Sequence, residues 1–252
     1  MLLLIVDTAG PTGGVLLAET DESGADPVDH LAEILGVMDL HPRQFSAELI
    51  PAIAELLRAS ERRLADVDAF AVVAGPGSFT GLRVGLSAVK AMAEAARKPI
   101  LTVSRLAILA SIASDLPASE RTDVAMHIVL DAGRGEFYDG VYRDAGKTRV
   151  AESFETLHAL TEKLVQERGL VVVSEVSVKA AFDSVAGSRF REVPSPTVRD
   201  ALPLAMEEWR AKRCQDPVSA DANYLRRSDA VVVVRTKAEP VAQGACGEDV
   251  PS

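Results

Sequence analysis

The run Gly75-Pro76-Gly77-Ser78-Phe79-Thr80-Gly81-Leu82-Arg83-Val84-Gly85 has the composition of a turn that can hold an anion. Gly75 and Gly77 permit positive φ and a close backbone approach, and Pro76 fixes one φ between them. Ser78 or Thr80 can cap a following helix by accepting a bond from an amide. Unpaired amides and the helix dipole at such a turn attract negative charge. The spacings G-x-x-x-x-G-K-[ST] and G-x-G-x-x-G are both absent, and no Lys stands where it would grip a phosphate. A turn without a ligand is the alternative reading.

Two acids recur in a matching setting. Asp7 follows the apolar residues 2–6, and Asp131 follows 124–130; each leads into a Gly-bearing turn and a second apolar run. Acids so placed can order water or a metal around a nucleotide phosphate. The alternative is an Asp that caps its own turn. The repetition suggests two related lobes with both acids around one cleft. The histidines His30, His41, His127 and His158 make no Ser-His-Asp set, and G-x-S-x-G and H-E-x-x-H are absent. Ser78 has no base beside it in sequence, and His41 has no ligand partner at i+4. His127 lies in a strand-like run, where a hydrogen-bonded core histidine is expected.

The elements that must position these groups follow from periodicity. Residues 69–74, 84–96 and 100–103 read as strand, helix and strand, a βαβ crossover. On its helix Gly81, Gly85, Ala88, Met92 and Ala95 share one small-residue face. That face suits either the chain's own sheet or a partner helix. Residues 2–6 and 15–18 read as a hairpin, and 31–35 as an edge strand or a turn of helix. Phe45, Leu49, Ile53, Leu56 and Leu57 recur at helical spacing, with Pro51 kinking that helix or delaying its start. Residues 104–113 read as helix, 137–142 and 150–154 as strands, 154–168 as helix, 170–173 as strand, 176–185 as helix. Residues 198–213 read as one amphipathic helix, and 231–234 as a possible edge strand.

Composition bounds the class. The 252 residues are 48% hydrophobic and only 4% aromatic, so a core of aliphatics and Ala is expected. Cys214 and Cys246 make no disulfide framework, which fits a reducing cytoplasm. Residues 1–6 are too short for a signal peptide and no stretch is long enough to span a membrane, so no membrane association is expected. The formal charge of −10 opposes autonomous binding to nucleic acid, and only Arg62-Arg63 and Arg226-Arg227 are adjacent basic pairs.

With its motifs assembled, the chain resembles the TsaB (YeaZ) family of bacterial tRNA threonylcarbamoyladenosine synthesis. The resemblance rests on the glycine loop 75–85, on Ile5-Val6-Asp7-Thr8, on the run 43–51, on the turn 131–138 and on Tyr224-Leu225-Arg226. Phe45 replaces a usual His, Gly133 a common Arg, and Ala9-Gly10 a usual Ser-Thr. The resemblance implies an α/β, two-lobe, actin-like and Hsp70-like (ASKHA) fold with a degenerate nucleotide cleft around Asp7, Thr8, Asp131 and Arg134. It implies a lobe at 1–103 joined by the helix 198–213, a smaller lobe at 104–197, and a C-terminal segment 214–252 that is disordered after about 237.

The resemblance further implies a scaffold without catalytic residues, metal or intrinsic cofactor. ATP and Mg would be used by its partners: the catalytic subunit TsaD, in a heterodimer, and the ATPase TsaE. A homodimer through the same face is also implied, and tRNA would be met only indirectly. The implied partner interface comprises Phe45, Leu49 and Ile53 on the first helix, with Ser78, Phe79, Thr80, Gly81, Arg83, Gly85, Ala88 and Met92 on the second. On that reading Gly85→Leu or Ala88→Glu should abolish association and leave the chain folded. The rival reading is an autonomous actin-fold ATP-dependent enzyme or a glycoprotease-like hydrolase built on Asp7 and Asp131.

Overall fold

A computed structural model describes residues 1–20, 32–114, 125–144, 146–167, 169–182, 185 and 189–225. The first half opens with β1 (Leu2–Asp7), β2 (Gly13–Glu19), β3 (Glu33–Leu40) and α1 (Phe45–Ala59). It continues with β4 (Ala69–Gly75), α2 (Phe79–Ala96) and β5 (Ile100–Ser104). After α3 (Arg105–Ser114) come β6 (Met126–Gly133), β7 (Glu136–Arg143), β8 (Thr148–Thr156) and α4 (Leu157–Glu167). β9 (Leu170–Val173), α5 (Val176–Phe182), β10 (Arg189–Glu192) and α6 (Leu202–Arg210) close the described chain.

The two halves repeat one topology. The sheets run β3-β2-β1-β4-β5 and β8-β7-β6-β9-β10. In each, the first three strands are antiparallel and the last two join in parallel. Parallel pairs need a helical crossover, and α2 supplies the one between β4 and β5. Helices cover both faces of the first sheet, so β1 and β4 are buried along their whole length and read as continuous apolar runs. The fold is therefore two-lobed and actin-like, as expected.

One face of the first sheet carries α1 and α2, with Phe45, Leu49, Ile53, Leu56, Leu86 and Val89 in a single cluster with Leu4, Val6 and Val72. Leu202, Ala205 and Met206 of α6 cover the other face with Ile5, Val73 and Val103. α3 serves both lobes. Its Ile108 packs in that cluster, whereas Leu106, Leu109 and Ala110 pack with Ile128, Tyr138 and Tyr142 of the second sheet. His127 is fully buried, as a core histidine should be. Its Nδ1 lies 3.2 Å from Asp139 Oδ1, its Nε2 lies 3.1 Å from Glu167 Oε2, and Lys163 donates to Asp139 at 2.7 Å. The buried Asp139 carboxylate thus has the Lys163 ammonium as its opposite charge.

Several boundaries differ from the periodicity. α1 starts at Phe45 and runs through Pro51 on its exposed face, so the proline does not delay the helix. Residues 33–40 form one edge strand rather than a helical turn, and the short, charged β10 carries too few apolar residues to be read. The expected single helix 198–213 is instead a 3-10 turn, Val198–Ala201, followed by α6. Thr197 caps that turn with Asp200, and Pro203, which lacks an N–H, stands in the first turn of α6, where no helical acceptor is lost. The expectations for residue 31, for 231–234 and for the tail after 237 lie outside the described residues.

The small-residue face of α2 belongs to the chain's own sheet. A Cβ on Gly81 would overlap the Thr8 carbonyl oxygen, and one on Gly85 would overlap Thr8 Oγ1. Thr8 Oγ1 donates to Gly81 O at 2.7 Å in a buried bond that ties this helix to the end of β1. Hence Gly85→Leu strikes the chain's own packing and not a partner contact alone, which corrects the sequence expectation. It should instead destabilise the chain by about 3 kcal/mol or more through overpacking. Urea unfolding of the variant would measure it, and wild-type stability would contradict the packing described.

Candidate functional site

Two equivalent turns face each other across the lobes. Asp7 Oδ1 accepts from the Ala9 amide at 2.9 Å, and Asp131 Oδ1 accepts from the Gly133 amide at 2.7 Å. Both acids therefore cap their own turns, each through an amide two residues on. Between the lobes lies a cavity of about 960 Å³. Its walls include Ala9 to Thr12, Gly77, Ser78, Thr80 and Gly81 from the first lobe, and Asp131, Gly133 and Glu175 from the second. Arg43, Phe45 and Ser46 close one side, and Arg105 reaches in from the start of α3.

Of the four residues expected around the cleft, only Asp131 lines it. Asp7 is 2% exposed and Thr8 fully buried, and Arg134 sits at φ +60° in the β6–β7 turn. Among the described residues no group of three or more His, Cys, Asp or Glu could hold a metal. These groups do not fit a metal-nucleotide, because the carboxylate that should reach the metal is buried and bonded to its own turn. Burial pushes the Asp7 carboxyl up to about 6; the Ala9 amide and the Arg105 charge offset part of that rise. Burial also raises Glu175, Arg105 pulls it back, and the Asp131 charge adds to the rise.

The glycine loop is built as a strand-to-helix turn. Gly75 takes φ +106°, and the Gly75–Pro76 peptide is cis. Gly77 serves by close approach, since a Cβ there would overlap the Ala9 carbonyl oxygen. Ser78, and not Thr80, caps α2: its Oγ accepts from the Gly81 amide at 3.2 Å.

The residues expected at a partner surface divide sharply. Phe45, Leu49 and Ile53 are at most 8% exposed, and Gly81, Gly85 and Met92 are buried as well. They pack on the chain's own sheet, so they are not available to a partner in this structure. Helical period identifies an apolar face but not what covers it. Ala88 is half-buried against the same core. Ser78, Phe79, Thr80 and Arg83 are exposed.

Sequence reasoning missed the companions of Phe79. The Arg83 guanidinium lies 3.8 Å from the Phe79 ring centroid, and Tyr224 lies 5.8 Å away on another side. Ile50, on the outer face of α1, is 53% exposed. A C-terminal strap holds Tyr224 there: Lys90 donates to the carbonyls of Val218 and Ala220, and the Asn223 amide donates to Ala74 O. Ile50 breaks the apolar face of α1 and was legible as an outlier. The partnership of Phe79 with Tyr224 carried no local signal.

The family model for TsaD, tRNA N6-adenosine threonylcarbamoyltransferase, matches residues 31–188. A curated relative from Escherichia coli, tRNA threonylcarbamoyladenosine biosynthesis protein TsaB, is 29% identical over 75% of this chain and 84% of its own. Its counterpart from Haemophilus influenzae is 27% identical over 75% and 83%. The chain is a member of the TsaD family, on its TsaB (YeaZ) branch. A solved protein from Pseudomonas aeruginosa, described as similar to peptidase YEAZ, superposes with a TM-score of 0.66 at 25% identity. It covers 89% of this TsaB-branch chain and 99% of its own. The departure at Phe45 has a structural use here. Its ring lies on Gly13, where an added Cβ would come within 2.8 Å of Cε1.

The raised Asp7 carboxyl makes stability depend on pH with a defined sign. The folded state holds this proton more tightly than the unfolded chain does. The stability it contributes is therefore full below the ordinary carboxylate range and is lost as pH rises through about 6. Asp7→Asn removes this dependence. The stability of the variant minus that of wild type should grow between pH 4 and 7 by about 2 kcal/mol. Urea unfolding at several pH values checks it, and a difference flat with pH would contradict the buried carboxyl.

Proposed function

We propose that this chain is the non-catalytic scaffold subunit of tRNA N6-threonylcarbamoyladenosine synthesis. It pairs with the catalytic subunit TsaD, works alongside the ATPase TsaE, and meets tRNA through those partners. Its relatives in Escherichia coli and Haemophilus influenzae carry the name of that pathway, and the TsaD model spans most of the chain. The chain contributes no metal or cofactor of its own on this reading, and ATP and Mg are handled by the partners.

The observation that carries the scaffold reading is the exposed cluster at the head of α2. Phe79 is 46% and Tyr224 41% exposed, with Arg83 stacked on the first ring and Ile50 on the neighbouring helix. Aromatic rings with an Arg are the side chains that dominate binding energy at interfaces. A docked partner helix would cover apolar surface that no residue of the described chain covers. The capped, buried Asp7 also supports a chain that does no phosphoryl chemistry itself.

Ile50→Glu and Phe79→Ala should each weaken association with TsaD by at least about tenfold, with little change in the stability of the isolated chain. Ala88→Glu should lose association too, but with some loss of stability, because Ala88 is half-buried. Calorimetric titration of TsaD into each variant, beside thermal unfolding, separates the two effects. Wild-type affinity in both Ile50→Glu and Phe79→Ala would overturn this surface. Turnover of Mg-ATP by the isolated chain would instead favour an autonomous enzyme.

A further inference from the structure

Arg105 is the residue for which the fold offers least explanation. It begins α3, is 5% exposed, and its buried Nε has no hydrogen-bond partner. Its charge acts on the Asp7 and Glu175 carboxyls, yet a buried Nε–H without an acceptor is costly, because that donor has left water without replacement. The side chain lines the interlobe cavity together with Ser78 and Thr80 at the head of α2. Those residues open a helix of 18 residues; Ser78 Oγ takes the Gly81 amide, and the Phe79 and Thr80 amides have no acceptor within the helix. Two donor sets from different elements thus line one space, and the Ser78 and Thr80 hydroxyls stand beside them.

We propose that the interlobe cavity is a binding site for a single compact oxyanion, a carboxylate or one phosphoryl group, seated on Arg105 beside the head of α2. The planar fork of Arg matches either group in a two-bond contact. The opposite wall limits the charge. Asp131 and Glu175 line the same cavity, so a polyphosphate would set several negative charges against them. The glycine turn lacks a basic residue of its own; the start of α3 brings Arg105 into the same cavity.

The test is a titration of the isolated chain with acetate, inorganic phosphate or Mg-ATP at constant ionic strength, followed by the NMR signals of Arg105 Nε–H and the Thr80 amide. Saturable shifts of both signals with acetate or phosphate are expected, and whichever binds more tightly identifies the group. Arg105→Met should weaken the Thr80 response by at least about tenfold. If that variant does not fold, Gly10→Ala replaces it. A Cβ on Gly10 would lie 3.1 Å from Arg105 Nη2 and 3.3 Å from Thr12 O, so the methyl pushes the guanidinium tip, the more mobile of the two, aside by a few tenths of an ångström. About three- to fivefold weaker binding is expected from that displacement. No saturable response in wild type, a response unchanged by both variants, or tighter binding of Mg-ATP than of either single anion would overturn the proposal. None of these outcomes depends on association with TsaD.

Discussion

The head of α2 lies against the turn that follows β1, and this close approach organises the first lobe. Glycines at 77, 81 and 85 leave no side chain between the helix and the backbone of Thr8 and Ala9. The buried bond from Thr8 Oγ1 to Gly81 O and the bond from the Ser78 amide to Ala9 O fasten the two together. The same contact fixes the height of Ser78 and Thr80 over the cleft and turns Phe79 and Arg83 outward. Interior packing and outer surface are therefore consequences of one steric condition.

The duplicated topology explains why two acids recur and why each caps its own turn. Each ends the first strand of its lobe and captures an amide two residues on. In the first lobe α3 and α6 close over the sheet, and Asp7 is sealed below the cavity with its proton held tightly. In the second lobe the equivalent Asp131 stays exposed on the cavity wall. Identical local chemistry thus has different electrostatics in the two settings, because burial decides the cost of charge.

The C-terminal strap joins these features. After α6 the chain pairs Gln215 with Ile100, passes over Lys90, and bonds Asn223 to Ala74. Asn223 also donates to Glu152, which accepts from Tyr142 and Ser104. A carboxylate at the lobe junction is thereby satisfied by groups from both lobes and from the strap. Tyr224 reaches Phe79 only because this path is fixed.

The sequence by itself determined most of the elements, the two-lobe repeat and the family, because apolar period, turn residues and the glycine run are local properties. It also held the burial of His127, since a lone histidine in an apolar strand must find partners within the core. It could not say which side of α1 and α2 meets the outside. Phe45, Leu49 and Ile53 form an apolar stripe that would suit a partner as well as a sheet, and only the position of that sheet assigned it. Gly81 and Gly85 signalled a close neighbour, and only tertiary structure made that neighbour Thr8. Arg105 and Glu175 reach the cleft from separate elements, and Tyr224 meets Phe79 from the far end of the described chain. Contacts between residues distant in sequence leave no period to read, so the cleft and the exposed cluster were decided by the packing of the lobes.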